Sequence, residues 1–210
     1  MKKIILFFLS ALCVFQAQAD ERSAELLERM RNQMRDWTSY RVEFTASTED
    51  EGTTNGTLTV NGKRFAAQVG GQELYFDGTT LWNYQPRNNE VTIERLDPEQ
   101  PNVLSNPSRL LNVDPGDYTH RSLPDVSTAG GKKLRVVELT PKAQTQDYTT
   151  ITLYIDPETA LLKRISIATP SSDRPIEMTL RKLQTNVPVS EATFRFDSKA
   201  HPGVEVIDFR

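Results

Sequence analysis

The stretch Glu73 to Leu96, reading ELYFDGTTLWNYQPRNNEVTIERL, limits the available folds more than any other part of the chain. Three runs of alternating side chains lie in it, separated by two turn signals. Leu74 and Phe76 share one face of the first run, with Tyr75 opposite. Trp82 and Tyr84 share a face of the second, opposite Leu81, and Val91 and Ile93 share a face of the third. Asp77-Gly78 supplies a residue at ease with positive φ, and Pro86-Arg87-Asn88-Asn89 makes the next turn. A period of two with this punctuation is the pattern of an antiparallel meander. Any fold open to this chain is therefore built on a sheet whose consecutive strands lie side by side.

The N-terminus says where such a sheet works. Met1-Lys2-Lys3 is a cationic head, Ile4 to Phe15 an apolar run, and Ala17-Gln18-Ala19 a small-x-small cleavage signal before Asp20. That order predicts a secretory signal peptide over residues 1–19, with an apolar run too short to span a bilayer. The one cysteine, Cys13, lies inside the run and leaves with it. Leu12 precedes it where a lipid-attachment site needs a small residue, so the exported protein is expected to be freely soluble. A mature chain without cysteine has no disulfide framework and no thiolate metal site. Loss of Lys2 and Lys3 takes the basic residues from 25 to 23 against 28 acidic ones, a net charge near −5. That balance argues against nucleic acid or an anionic membrane surface as the main partner. Residues 20–210 are read as a single domain.

Glu25 to Trp37 reads as an amphipathic helix. Leu26, Leu27, Met30, Met34 and Trp37 recur at spacings of three and four, with Ser23 as the expected N-cap. Such a stripe reads first as ordinary core packed on the sheet; the alternative is a movable lid, which the two methionines would suit by repacking around irregular apolar guests. Strands follow over Tyr40 to Thr48, Thr57 to Asn61 and Arg64 to Val69, ahead of the central meander. Beyond Leu96 a region of about thirty residues is punctuated by Pro98, Pro101, Pro107, Pro115 and Pro124. It holds one helical stretch at Pro107 to Val113 and is expected to pack over the sheet. Strands return at Lys133 to Thr140, Tyr148 to Asp156, Leu161 to Thr169 and Pro175 to Leu183, with short pieces around Phe194-Phe196 and Val204-Ile207.

The count is about ten or eleven strands, so the fold class is mainly β with helices (α+β). One antiparallel sheet of that size tends to curl. Pattern alone leaves two architectures open: a sandwich of two sheets, or a curled barrel roofed by helices.

Residue chemistry speaks against catalysis. The chain has no G-x-S-x-G elbow, no H-E-x-x-H, no phosphate loop and, once mature, no cysteine nucleophile. His120 and His201 stand in polar, turn-like contexts that read as solvated loop histidines rather than bases or ligands. No cofactor and no metal site are expected, and the chain is read as a non-enzyme.

Two segments carry a family likeness. Tyr75-Phe76-Asp77-Gly78-Thr79-Thr80-Leu81-Trp82-Asn83-Tyr84 resembles the D-G-x-T-L-W-x-Y hairpin of the periplasmic lipoprotein carrier family, LolA. Ala192-Thr193-Phe194-Arg195-Phe196 followed by Pro202-Gly203-Val204-Glu205-Val206-Ile207-Asp208 resembles its F-x-F…P-x-G-V-x-V-x-D close. The resemblance implies an incomplete antiparallel β-barrel, here of about eleven strands, with an α-helical lid and an apolar cavity. It also implies a periplasmic monomer that takes acylated lipoproteins from an inner-membrane ABC exporter and carries them to an outer-membrane acceptor. On that reading Phe44, Leu58, Val60, Phe65, Leu74, Phe76, Val91, Ile93, Ile151, Leu153, Ile165, Ile167, Met178 and Leu180 line the cavity, and Leu27, Met30, Met34 and Trp37 close it. The family's K-R-P-x-x-F run, whose arginine latches the lid, corresponds to Gly62-Lys63-Arg64-Phe65, which lacks the proline; Arg64 is the candidate latch. Two other readings remain open: a lipid-sensing periplasmic regulatory domain of similar shape, and a non-catalytic β-rich binding module.

Overall fold

The computed structural model describes residues 21–48, 52–96, 115–143 and 147–210. The expected leader and the helical stretch at Pro107 to Val113 lie outside them. Helix α1 spans residues 21–35. Twelve strands follow: β1 (Tyr40–Thr48), β2 (Gly52–Asn61), β3 (Arg64–Val69), β4 (Gln72–Phe76), β5 (Thr80–Gln85), β6 (Glu90–Arg95), β7 (Tyr118–Ser127), β8 (Lys133–Pro141), β9 (Thr150–Ile155), β10 (Leu162–Ala168), β11 (Ile176–Thr185) and β12 (Glu205–Asp208).

All twelve belong to one sheet in the order β12-β6-β5-β4-β3-β2-β1-β11-β10-β9-β8-β7. It consists of two meanders, β1 to β6 and β7 to β11, joined where β1 pairs with β11. The two ends, β12 and β7, do not pair with each other, so the barrel is incomplete. A two-sheet sandwich is excluded. The sheet departs from the expected all-antiparallel form at one place, where β12 runs parallel to β6. The central meander turns as its residues require. Gly78 has φ 102°, and Asp77 Oδ1 accepts hydrogen bonds from the Thr79 and Thr80 amides at 3.1 and 3.0 Å.

The strand missing from the sequence reading is β7, which occupies part of the proline-punctuated region. Pro124 sits in a bulge where the register slips between Leu123 and Val126, on a strand at the sheet's end. There its missing N–H removes no ladder bond from a central position. Around Phe194-Phe196 the expected strand piece is instead a 3₁₀ turn, Glu191–Phe194, held at its start by Ser190 and Thr193.

One face of the sheet carries the main core under α1. Leu26, Leu27 and Met30 are buried in it, and Met34 and Trp37 pack partly against it. Ser23, expected to cap the helix, lies inside it and is fully buried, its Oγ 2.5 Å from Ser122 Oγ on β7. Trp37 falls just past the helix end and meets Tyr40 edge to face at 5.8 Å. Gly56 is required opposite Phe44, because a Cβ there would overlap the Phe44 ring.

Candidate functional site

Strand register decides which side chains share a face. Across the first meander Val60 pairs with Phe65, Phe65 with Phe76, and Ala67 with Leu74, while Val42 pairs with Leu58. Phe44 pairs with Leu180, Met178 with Ile165, Ile165 with Leu153, and Ile167 with Ile151. Twelve of the fourteen expected lining residues therefore meet on the helix-covered face, in one cluster with Leu26, Leu27 and Met30. Under the helix this face is shut. Phe65, Phe76, Ile151, Leu153 and Ile165 are 0% exposed. Sequence reading did not single out Val137, Leu139, Ile155, Tyr118 and Tyr148 of the same cluster. The two tyrosine hydroxyls hydrogen-bond each other at 2.9 Å, which satisfies them inside the core.

Val91 and Ile93 do not join them. Tyr84 pairs with Val91 and Trp82 with Ile93, while Phe76 pairs with Leu81. That parity places Val91 and Ile93 on the back face, in a separate cluster with Tyr84, Trp82, Phe196 and Val204. Alternation within a strand shows that two faces exist; only cross-strand register shows which face of one strand continues the face of another. The residues after β11 form a strap over this back cluster. Phe196 lies 5.0 Å from Tyr84, and His201 stacks on Phe196 at 4.7 Å and meets Tyr84 at 4.4 Å. His201 is thus an aromatic packing partner rather than a solvated loop residue, and His120 lies within β7.

Arg64 does not latch the helix. Its neighbour Phe65 faces the core, so Arg64 faces back. There it donates to Asn61 Oδ1, stands 3.9 Å from the Glu191 carboxylate and lies 5.1 Å from the Phe194 ring centroid. It holds the strap. A cation that does tie α1 to the rest of the chain is Arg29, whose Nη1 and Nη2 donate to the carbonyls of Pro157 and Glu158 at 3.3 and 3.1 Å. Sequence offered no sign of this pair, since any side chain can stand beside a backbone carbonyl. The turn that Arg29 grips is itself built by Asp156, whose Oδ1 accepts from the Glu158 and Thr159 amides at 3.0 and 3.2 Å. Burial pulls the Asp156 pKa up, but the Thr159 and Glu158 amides and the Lys163 charge outweigh it and leave the carboxyl below its ordinary range. Burial alone drives the Tyr40 phenol pKa upward.

On β5 Asn83 faces the helix side, since it pairs with Leu74, and its Oδ1 is buried without a hydrogen-bond partner among the described residues. Those residues hold no cluster of three or more His, Cys, Asp or Glu able to bind a metal ion. None of their helices is long and apolar enough to cross a membrane.

Among the described residues, a broad apolar face lies under α1 on a barrel left open. The family model for the outer membrane lipoprotein carrier protein LolA matches residues 35–197. The chain belongs to the LolA family. The matched span leaves out nearly all of α1 and all of β12. No curated protein matches the chain. Among solved structures, an uncharacterized conserved protein from Thermus thermophilus is similar at TM-score 0.58 and 12% identity, over 89% of this chain and 98% of that one. A DUF1329 family protein from Desulfovibrio piger gives TM-score 0.47 and 14% identity, over 87% and 99% of the two chains. A LolA superfamily protein, NE2245 from Nitrosomonas europaea, gives 0.43 and 14%, over 83% and 98%.

Proposed function

We propose that this LolA-family chain is a periplasmic, non-catalytic carrier that shields the acyl chains of lipoproteins between α1 and the sheet. In this reading it receives them from an inner-membrane ABC exporter and passes them to an outer-membrane acceptor, working as a monomer without cofactor. The observation that carries the proposal is the build of the helix-covered face. Among the described residues the buried contacts of α1 are mainly apolar, and its hydrogen bonds to the sheet include the Ser23–Ser122 hydroxyl pair and the two from Arg29. Non-directional contacts can be exchanged for an acyl chain at little cost, because each buried CH₂ of cargo recovers about 0.8 kcal/mol of what the displaced helix gives up. Since the face is closed under α1, cargo entry requires the helix to move. Delivery without ATP then requires that the acceptor hold the cargo more tightly than the carrier does.

The signal peptide read from residues 1–19 supports a periplasmic address. The decisive experiment is recovery of the protein from the periplasm, with mass spectrometry of whatever copurifies. Acylated protein bound in stoichiometric amount is expected, and it should be lost when Leu27 and Met30 are replaced by Ser. Recovery without acylated protein, together with no uptake of an apolar fluorescent probe, would overturn the proposal.

A further inference from the structure

A cleft of about 630 Å³ opens on the second meander, bordered by β7, β8, β10 and β11. Its apolar wall is Val126, Leu134 and Leu180, and Lys132, Lys163 and Arg164 surround it. Three strands at the cleft carry irregularities beside lining residues. The register slips between Leu123 and Val126 on β7, between Leu162 and Arg164 on β10, and opposite Glu43/Phe44 on β11, where Leu180 flanks the unpaired Arg181. Lys163 is itself the extra residue of the β10 bulge. Bulges re-aim side chains that a regular ladder would point elsewhere, and they gather beside binding sites.

The charges at the cleft are unbalanced. No hydrogen bond from Lys132 Nζ or Lys163 Nζ is seen among the described residues, although the Lys163 charge acts on the Asp156 carboxylate across the cleft. Lys132 is placed at the rim by the β7–β8 turn, where its amide donates to Thr128 Oγ1 at 3.2 Å and its carbonyl accepts from the Thr128 amide at 2.8 Å. Arg164 lies over the Tyr154 ring at 3.6 Å, and its Nε reaches Glu177 Oε2 only at 3.8 Å, without a hydrogen bond. The carboxylate of the lining, Asp156, accepts from the Glu158 and Thr159 amides and offsets part of the Lys163 charge. In a chain of net charge −3, three cations around an apolar wall with one carboxylate in the lining form a local excess of positive charge.

We propose that this cleft is a second binding site, which takes a phosphate or similar anionic group attached to an apolar tail. Lys132 and Lys163 meet the anion, Arg164 offers its planar donors, and Val126, Leu134 and Leu180 receive the tail. Leu180 also packs against the main core, so the tail's wall adjoins the helix-covered face. The site does not depend on the carrier reading, because it concerns the charged group and not acyl transfer.

Titration of the purified full chain with dihexanoylphosphatidic acid, followed calorimetrically, tests it. The anionic lipid should bind, the zwitterionic dihexanoylphosphatidylcholine should bind at least about tenfold more weakly, and K132Q/K163Q should remove the difference. Lys132 is exposed and Lys163 partly exposed, and the circular dichroism of the variant checks that it folds. Competition by inorganic phosphate at similar concentration assigns the anion to a free phosphate source; competition by lipid alone assigns it to a headgroup. Equal binding of the two lipids, binding of neither, or an unchanged preference in K132Q/K163Q overturns the proposal. Loss of copurifying acylated protein with this titration intact would instead count against the carrier function alone.

Discussion

The two faces of the sheet are covered in different ways. The helix-covered face is a wide field of aliphatic and phenylalanine side chains drawn from both meanders. Its roof, α1, adds Leu26, Leu27, Met30 and Met34. The back face carries an apolar cluster around Tyr84, Val91 and Ile93, and the strap covers it with rings and directed bonds: Phe196 and His201 against Tyr84, Arg195 to Asp77 at 3.1 Å, and Asn89 Nδ2 to the Pro202 carbonyl at 3.2 Å. Aliphatic contact has no preferred direction, whereas ring geometry and hydrogen bonds do. The difference teaches that one cover is built to be exchanged and the other to stay.

The largest effect should come from the helix-covered face. Phe65→Ala removes a side chain with no exposure that meets the Phe76 ring at 5.3 Å, and about 3–5 kcal/mol of stability should be lost in urea unfolding. An equal loss in Phe196→Ala would erase the distinction between the faces. Gly56→Ala forces the Phe44 ring aside and should cost about 1–3 kcal/mol, part of it restored when Phe44→Leu is added. Phe196→Ala should cost only about 1 kcal/mol, with faster amide exchange confined to residues 189–209. Arg29→Met should cost less than about 1 kcal/mol globally, because its bonds are solvent-exposed, yet it should speed exchange across residues 21–35 and leave the strap unchanged. If exchange under the strap rises equally, the two covers are not independent.

The smallest effect is a dependence on pH. The Asp156 carboxyl has a lowered pKa in the folded chain, so its contribution is complete above the ordinary carboxylate range. That contribution disappears as pH falls through the folded value. Acid should therefore loosen the β9–β10 turn and the grip of Arg29, seen as faster exchange in α1. Asp156→Asn should abolish this dependence.

Much of this was legible before any coordinates. The alternation at Val42, Phe44 and Ala46 and at Phe65, Ala67 and Val69 marked strands whose apolar sides are indeed turned to the core. Asp77-Gly78 and Asn88-Asn89 marked their turns, and Met30 and Met34 marked the helix stripe. Where the reading failed, a nonlocal fact was missing. Pro124 argued against a strand, and only an end position with a bulge admits it. Val91 and Ile93 alternate like lining residues, yet register turns them away. Arg64 held the expected place in sequence, but a side chain on the back face of β3 has no path to the helix.

Period two, helical spacing and turn chemistry are properties of neighbouring residues, so the strands of the first meander, most of those in the second and the amphipathic helix were written in the chain alone. Which faces join, which cation reaches α1, and where bulges gather cations around a cleft all depend on residues far apart in sequence. Those were decided only when twelve strands closed most of the way around one core, because pairing register and the packing of α1 are set by the whole sheet together.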